Sequence, residues 1–292
     1  MQYTIKSESL QVSVAQKGME LCSIKTKATG KEHLWQGDPQ FWTGQAPILF
    51  PNIGALKNGK MSHEGEEYAL PKHGFIRNSN GAKLIQHLPD TLVFRFDSSP
   101  ETLEVYPFVF SLEVSFHLSN NRLEISHRVH NQDSKDLYYS LGGHPAFACP
   151  LLPGEKLEEY RIEFPLEETD HTWMITSDGL IGEKGELVLD SSKEIRLHDH
   201  IFDHDALIFK KLKSREVSLS HQERGPIVKV EFADFEYLGI WAKPGASFVC
   251  LEPWLGIADS VGHSGKFAEK EGIQVLAPGA SETKTFSIEI PL

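Results

Sequence analysis

Apolar residues recur at every second position along most of the chain, as in Phe108-Val-Phe-Ser-Leu-Glu-Val-Ser-Phe-His-Leu118 and Leu92-Val-Phe-Arg-Phe96. An extended strand sends alternate side chains to opposite faces, so each such segment has one face to bury. The same pattern predicts strands over Tyr3 to Ser7, Leu10 to Val14, Leu123 to Val129, Tyr138 to Gly142, Ala206 to Lys210, Val217 to Ser220, Val228 to Phe232, Tyr237 to Trp241, Phe248 to Glu252 and Thr283 to Ile290. Turn-forming links such as Ser119-Asn-Asn-Arg122 and Lys243-Pro-Gly-Ala246 favour antiparallel neighbours. Helical periodicity is confined to Ser264 to Glu271 and, more weakly, Asp38 to Ala46. A dozen or more antiparallel strands without helices must bury one sheet against another, so the fold class is all-β, a large antiparallel β-sandwich. No repeat or linker divides the chain, and a single domain over residues 1–292 is expected. Leu151 to Gly185, rich in Pro, Gly and acidic residues, reads as an excursion with short strands.

Charge and cysteine usage exclude several functions. Acidic residues outnumber basic ones 41 to 29, a formal charge of −12, which argues against a nucleic-acid partner. Met1 to Val14 alternates like a strand and lacks the basic start and apolar run of a signal peptide; no segment reaches the roughly 18 apolar residues of a membrane helix. Cys22, Cys149 and Cys250 are odd in number and widely spaced, so neither a disulfide framework nor a zinc ribbon is indicated and a cytoplasmic location is expected.

Two segments carry candidate chemistry: Leu141-Gly-Gly-His144-Pro-Ala-Phe147 and Phe248-Val-Cys-Leu-Glu252-Pro-Trp254-Leu-Gly256. Each sets one ionisable residue at the end of a strand pattern, a histidine and a glutamate suited to act as general acid and base. Period two places His144 with Gly142 and Ser140 on a face left open for a ligand. It makes Val249 and Leu251 the core-facing pair and leaves Glu252 with Phe248, Cys250 and Trp254. Locally these residues also have plain structural readings: a histidine before proline at a strand end, an edge-strand glutamate, a buried tryptophan. Cys250 reads as a small buried apolar residue rather than a nucleophile. The cluster His198-Asp-His200-Ile-Phe-Asp203-His204-Asp205 contains metal-ligand types without distinctive third-ligand spacing, and no metal is predicted.

At these residues the chain resembles the aldose 1-epimerases (galactose mutarotases), and more closely their LacX-like branch. The resemblance rests on Phe50-Pro-Asn-Ile-Gly54 with Leu56-Lys-Asn-Gly-Lys60, on Leu70-Pro-Lys-His73-Gly-Phe75 with Arg77-Asn78, and on the His144 and Glu252 segments, with Asp203-His-Asp205-Ala-Leu-Ile-Phe209 a weaker fifth stretch. It implies the large twisted sandwich of that family (a supersandwich) and the interconversion of the α and β anomers of an aldohexose, without any cofactor. Glu252 matches the family's base and His144 its acid; His73 and Asp205 match residues that hold sugar oxygens, and Asn52 and Trp254 are further substrate-binding candidates. Where many members carry arginine after the glycine, this chain has Ala55. Arg77 is a candidate replacement, and its place in His-Gly-Phe-Ile-Arg-Asn resembles the hexose-6-phosphate mutarotase branch. The partner implied is a small sugar, free or 6-phosphorylated, and a non-catalytic carbohydrate-binding protein on the same scaffold is a third reading. Arg77 can equally serve a structural salt bridge, and Asp199, Asp203 and Asp205 can each simply solvate a loop.

Overall fold

The computed structural model describes residues 1–292. Nearly all of its regular structure is antiparallel strand, and the largest sheet has nine strands. Across that sheet the order is Ile181–Arg196, Tyr160–Ile175, Glu216–His221, Gly225–Glu231, Ser281–Glu289, Arg122–Asn131, Phe110–Ser119, Thr91–Asp97 and Lys83–His87. The period-two reading holds best in its centre. Leu112, Val114, Phe116 and Leu118 are buried together, as are Leu92, Phe94 and Phe96 on the neighbouring strand.

A second sheet runs Leu207–Phe209, Tyr237–Trp241, Phe248–Leu255, Leu141–Gly143 and Ile48–Leu49, with Ala146–Ala148 also pairing onto Phe248–Leu255. It packs against the large sheet so closely that a β-carbon on Gly143 would lie 2.6 Å from the Phe286 ring. Phe209 meets Phe164 of the large sheet at 6.5 Å between ring centroids. A three-stranded sheet over Gln2–Lys6, Leu10–Ala15 and Glu20–Thr26 joins the same core, which is continuous from Ile5 to Ile290.

Two expectations are corrected. The stretch after Leu151 is not a set of short strands: Tyr160–Ile175 and Ile181–Arg196 are sixteen residues each and form one long hairpin. Repeated register shifts carry the ladder past Pro165, and the acidic residues that blur the alternation are structural acceptors. Glu168 accepts the N–H groups of Lys213 and Ser214, and Asp170 those of Lys210 and Lys211. The two helical expectations also fail. Ser264 to Glu271 contains only a 3-10 turn, Phe267–Glu269, and Asp38 to Ala46 has no helix. Helices this short lack the internal bonds that offset nucleation, so tertiary contacts decide the conformation. The α-helix that does form, Pro100–Leu103, begins with the Ser99 side chain accepting from the Thr102 N–H and proline at its first position. No helix is long and apolar enough to cross a membrane.

Candidate active site

Glu252 lies in the middle of Phe248–Leu255, a strand buried along its whole length. Phe248, Cys250, Glu252 and Trp254 are as inaccessible as the expected core-facing pair, Val249 and Leu251, so exposure does not distinguish the two faces of this strand. Glu252 and Trp254 line a pocket that Ile175, Gly179 and Ile181 of the long hairpin also line. Antiparallel register sets Cys250 beside Trp241 and Ala146, Glu252 beside Gly239, and Trp254 beside Tyr237 and Gly142. Two glycines make room for the Trp254 indole. A β-carbon on Gly239 would come within 2.5 Å of that ring and one on Gly142 within 2.9 Å. Trp254 is thus a wedge in the wall of the pocket, 5% exposed, rather than an open platform.

His144 sits just past the end of Leu141–Gly143, fastened by its N–H to the Pro47 carbonyl. Its Nε2 is 3.3 Å from Oε2 of Glu252. The His144 Nδ1 and the Glu252 Oε2 are buried without a hydrogen bond, an arrangement that leaves lone pairs and protons for a ligand. The pocket above this pair encloses about 250 Å³.

Three aromatic rings hold the His144 imidazole. Trp42 stacks on it, with centroids 4.9 Å apart and planes inclined by 27°; Trp241 and His73 approach edge-on at 5.7 Å and 6.0 Å. Sequence reasoning missed Trp42 and Trp241. Trp42 stands in an irregular loop and no local pattern marks it. Trp241 could have been found from strand pairing, since its period-two partners Gly239 and Tyr237 line the same face as Glu252.

His73 is brought in by a tight turn. Its own φ is 65° and Gly74 has φ 71°, and a β-carbon on Gly74 would strike the Phe50 carbonyl oxygen at 2.0 Å. The His73 N–H donates to the Gly54 carbonyl, and the Gly54 N–H donates back to His73 Nδ1. An accepting Nδ1 assigns the ring proton to Nε2, so His73 offers a donor to the pocket. Asn52 is not in the pocket lining. It is wholly buried and its Nδ2 donates to the Gly54 carbonyl, so it braces the turn that holds His73.

Arg77 lines the pocket from a 3-10 turn, Ile76–Asn78, and its guanidinium closes no ion pair in the structure. Lys72 lines it too and is likewise unpaired. Beside Ala55 the space is taken by the tip of the long hairpin. A β-carbon on Gly179 would lie 3.2 Å from that of Ala55 and 3.7 Å from the Lys72 ammonium. Asp205, with φ 76°, also lines the pocket; its Oδ1 accepts from the Ala206 N–H. Behind the pocket, buried Asp259 accepts from the Lys57 N–H and pairs with the fully buried Lys270 at 3.0 Å. The Asp259 N–H also donates to the Ala55 carbonyl, which completes a brace on residues 55–57.

Electrostatics favour uncharged forms of both central groups. Burial, with Asp205 adding to it, pushes the Glu252 carboxyl well above the usual carboxylate range, while the Trp254 indole N–H, Lys72 and Arg77 oppose the shift. Burial, reinforced by Arg77, pulls His144 down to about 3. Burial likewise holds His73 well below the usual imidazole range, with the charges of Lys72 and Arg77 contributing. His144, Cys250 and Glu252 bring three metal-capable atoms within 4.8 Å of one another. Burial raises the Cys250 thiol well above its ordinary value, so it stays protonated, a poor ligand and a poor nucleophile. The histidine-rich run after Leu197 is a surface turn in which His200 Nδ1 meets Asp203 at 2.9 Å, and no three of its side chains converge on one point.

The arrangement can therefore give a proton to one ligand oxygen and take one from another. The family model described as Aldose 1-epimerase matches residues 1–288. Protein LacX, plasmid, of Lactococcus lactis subsp. lactis is 33% identical over 99% of both chains. Among solved structures, a galactose mutarotase related enzyme from Lactobacillus acidophilus superposes with a TM-score of 0.93 at 32% identity, covering 100% of this chain and 98% of that one. A galactose mutarotase-like protein from Lactobacillus casei ATCC 334 follows at 0.91 and 25%, with 100% of each chain covered. The residues, the two packed sheets and these relatives lead to one conclusion: the chain belongs to the aldose 1-epimerase family.

Proposed function

We propose that this single-domain protein is a cofactor-free mutarotase that interconverts the α and β anomers of an aldohexose such as galactose or glucose, with Glu252 as base and His144 as acid. The observation that carries this reading is the buried Glu252–His144 pair, 3.3 Å apart at the floor of the pocket. In the opening step Glu252 takes the proton of the anomeric hydroxyl, the bond from C1 to the ring oxygen breaks, and His144 protonates that oxygen. The aldehyde turns about C1–C2. On closure the ring-oxygen hydroxyl attacks the other face of C1, His144 recovers its proton and Glu252 returns the one it took.

The protons balance without solvent. Opening starts from ionised Glu252 beside protonated His144 and ends with both neutral, the state that burial favours. Lys72 and Arg77 favour the ionised carboxylate needed at the start. His73 donates from Nε2 to a sugar oxygen and Asp205 accepts from a sugar hydroxyl, so the ring is held while C1 reacts.

A second reading has support of its own. Arg77 and Lys72 are cations in the pocket with no partner, and a guanidinium fork suits a phosphate, so a hexose 6-phosphate is the alternative substrate. One experiment addresses both readings: anomeric exchange of glucose, galactose and glucose 6-phosphate followed by NMR, with wild type, Glu252→Gln and His144→Asn. Each variant is expected to lose on the order of 10²–10⁴ in rate. A variant that keeps the wild-type rate would overturn the mechanism. A wild type that accelerates none of the sugars would leave a carbohydrate-binding protein.

A further inference from the structure

The strands on either side of Phe248–Leu255 both carry a glycine where the Trp254 indole lies. Of the side-chain atoms near Gly142, the indole Cδ1 is the one a β-carbon there would meet first; near Gly239 the atoms met are Cζ2, Cη2 and Cε2. Gly142 is the register partner of Trp254 itself, and Gly239 is the register partner of Glu252. The ring therefore reaches from its own rung of the ladder back to that of Glu252. Nε1, bonded to both Cδ1 and Cε2, sits on the edge that spans the two rungs. Residues two apart share a face of a strand, and both side chains line the same pocket. Each has a buried polar atom without a hydrogen bond, Nε1 of Trp254 and Oε2 of Glu252, although a buried indole N–H ordinarily finds an acceptor. The carboxyl already feels the ring: among the groups that favour its charged form, the Trp254 N–H comes first, ahead of Lys72 and Arg77. A donor of this kind binds an ionised acceptor roughly twice as strongly as a neutral one.

Resting on the mutarotase reading, we propose that Trp254 is a positioning residue for the base: its indole N–H closes onto the Glu252 carboxylate when Glu252 ionises and releases it when Glu252 takes up the sugar's proton. The bond is open in the structure, where burial favours the neutral carboxyl. Ring opening starts from the ionised carboxylate, so a donor that prefers that form raises the share of protein ready to react. Lys72 and Arg77 assist through charge alone, whereas the N–H adds direction, because the two glycines fix the ring beside the carboxylate. The role of Trp254 is thereby exerted on the base rather than on the sugar.

The test is the pH dependence of anomeric exchange, read by NMR after subtracting the spontaneous rate. The active pair holds one exchangeable proton: a second, taken up by His144, gives the acid limb, and loss of the first from Glu252 gives the alkaline limb. Trp254→Phe keeps a ring in the wedge and removes the N–H. It is expected to move the alkaline limb upward by about one pH unit, with a lower plateau kcat, an unshifted acid limb and an unchanged KM. Gly239→Ala, whose β-carbon would push the indole aside, is expected to move the same limb in the same direction. An alkaline limb that stays in place in Trp254→Phe, whether or not KM rises, overturns the proposal and leaves the mutarotase reading intact. If wild type accelerates no sugar, the mutarotase reading fails and the donor is decided without activity, as it also is if Trp254→Phe does not fold. In proton–nitrogen correlation spectra the Trp254 Hε1 resonance of wild type is expected to move downfield as Glu252 ionises, and to lose that titration in Glu252→Gln. A resonance that ignores pH, or that titrates equally in Glu252→Gln, overturns the proposal.

Discussion

Trp42 covers His144 at stacking distance and so controls how much water reaches the imidazole. Burial is the main reason His144 is held near 3, and removing the indole returns part of its hydration. Trp42→Ala is therefore expected to raise the His144 pKa toward the ordinary 6.5 and to move the acid limb of the pH–rate profile upward by about one pH unit. Trp42→Phe keeps the ring and should leave that limb in place. An unshifted profile in Trp42→Ala would show that the stack has no electrostatic role. The same scale explains why some site residues were legible in the sequence and others were not. His73 and His144 stand in short strings whose neighbours, glycine and proline, announce tight turns, and Glu252 follows an alternating apolar run that marks a strand. Asn52 stands in such a string too, yet its amide points to the Gly54 carbonyl, a choice of partner that only the folded turn makes.

Among the elements, the long hairpin does the most to shape the site. Its tip sets Ile175, Gly179 and Ile181 along one wall of the pocket, and its base is tied to residues 210–214 by buried carboxylates. Glu168, 1% exposed, takes N–H bonds from Lys213 at 2.9 Å and from Ser214 at 2.7 Å. Glu168→Ala strands both donors and should lower stability by about 3 kcal/mol, read from urea unfolding. Glu168→Gln retains one acceptor oxygen and should lose less. A full-strength Glu168→Ala protein would mean that the carboxylate is replaced by water. Proline and acidic residues made this hairpin illegible in sequence, because they break the alternation that marks a strand while its register shifts absorb them.

Across the whole molecule, stability at acid pH follows from histidines buried in the neutral form. His33 and His127 are held near 4 and His144 near 3, in each case chiefly by burial, and His73 is well below 6.5 for the same reason. Between about pH 6.5 and 4 the unfolded chain binds these protons and the folded one does not, so stability is full above 6.5 and falls as pH drops. Glu252, raised by burial, works with the opposite sign: the folded state holds its proton above pH 4.5 where the unfolded state has released it. Four groups against one leave about three protons, and each tilts stability by about 1.4 kcal/mol per pH unit. A steep loss of stability between pH 6 and 4 is expected in denaturant titrations. His127→Leu, which removes a ring stacked on Phe286 between the sheets, should make that slope shallower. An unchanged slope would place the titration elsewhere. By itself the sequence determined the all-β class, the antiparallel pairing and the His144 and Glu252 segments, because period-two alternation and turn chemistry are local and survive without knowledge of the fold. Only the tertiary structure decided that the Glu252 strand is buried on both faces, that Trp42 and Trp241 clasp His144, and that two glycines make room for the Trp254 indole. Those facts depend on which segments meet across the sheets, and residues that meet only through packing leave no mark on the periodicity of either segment.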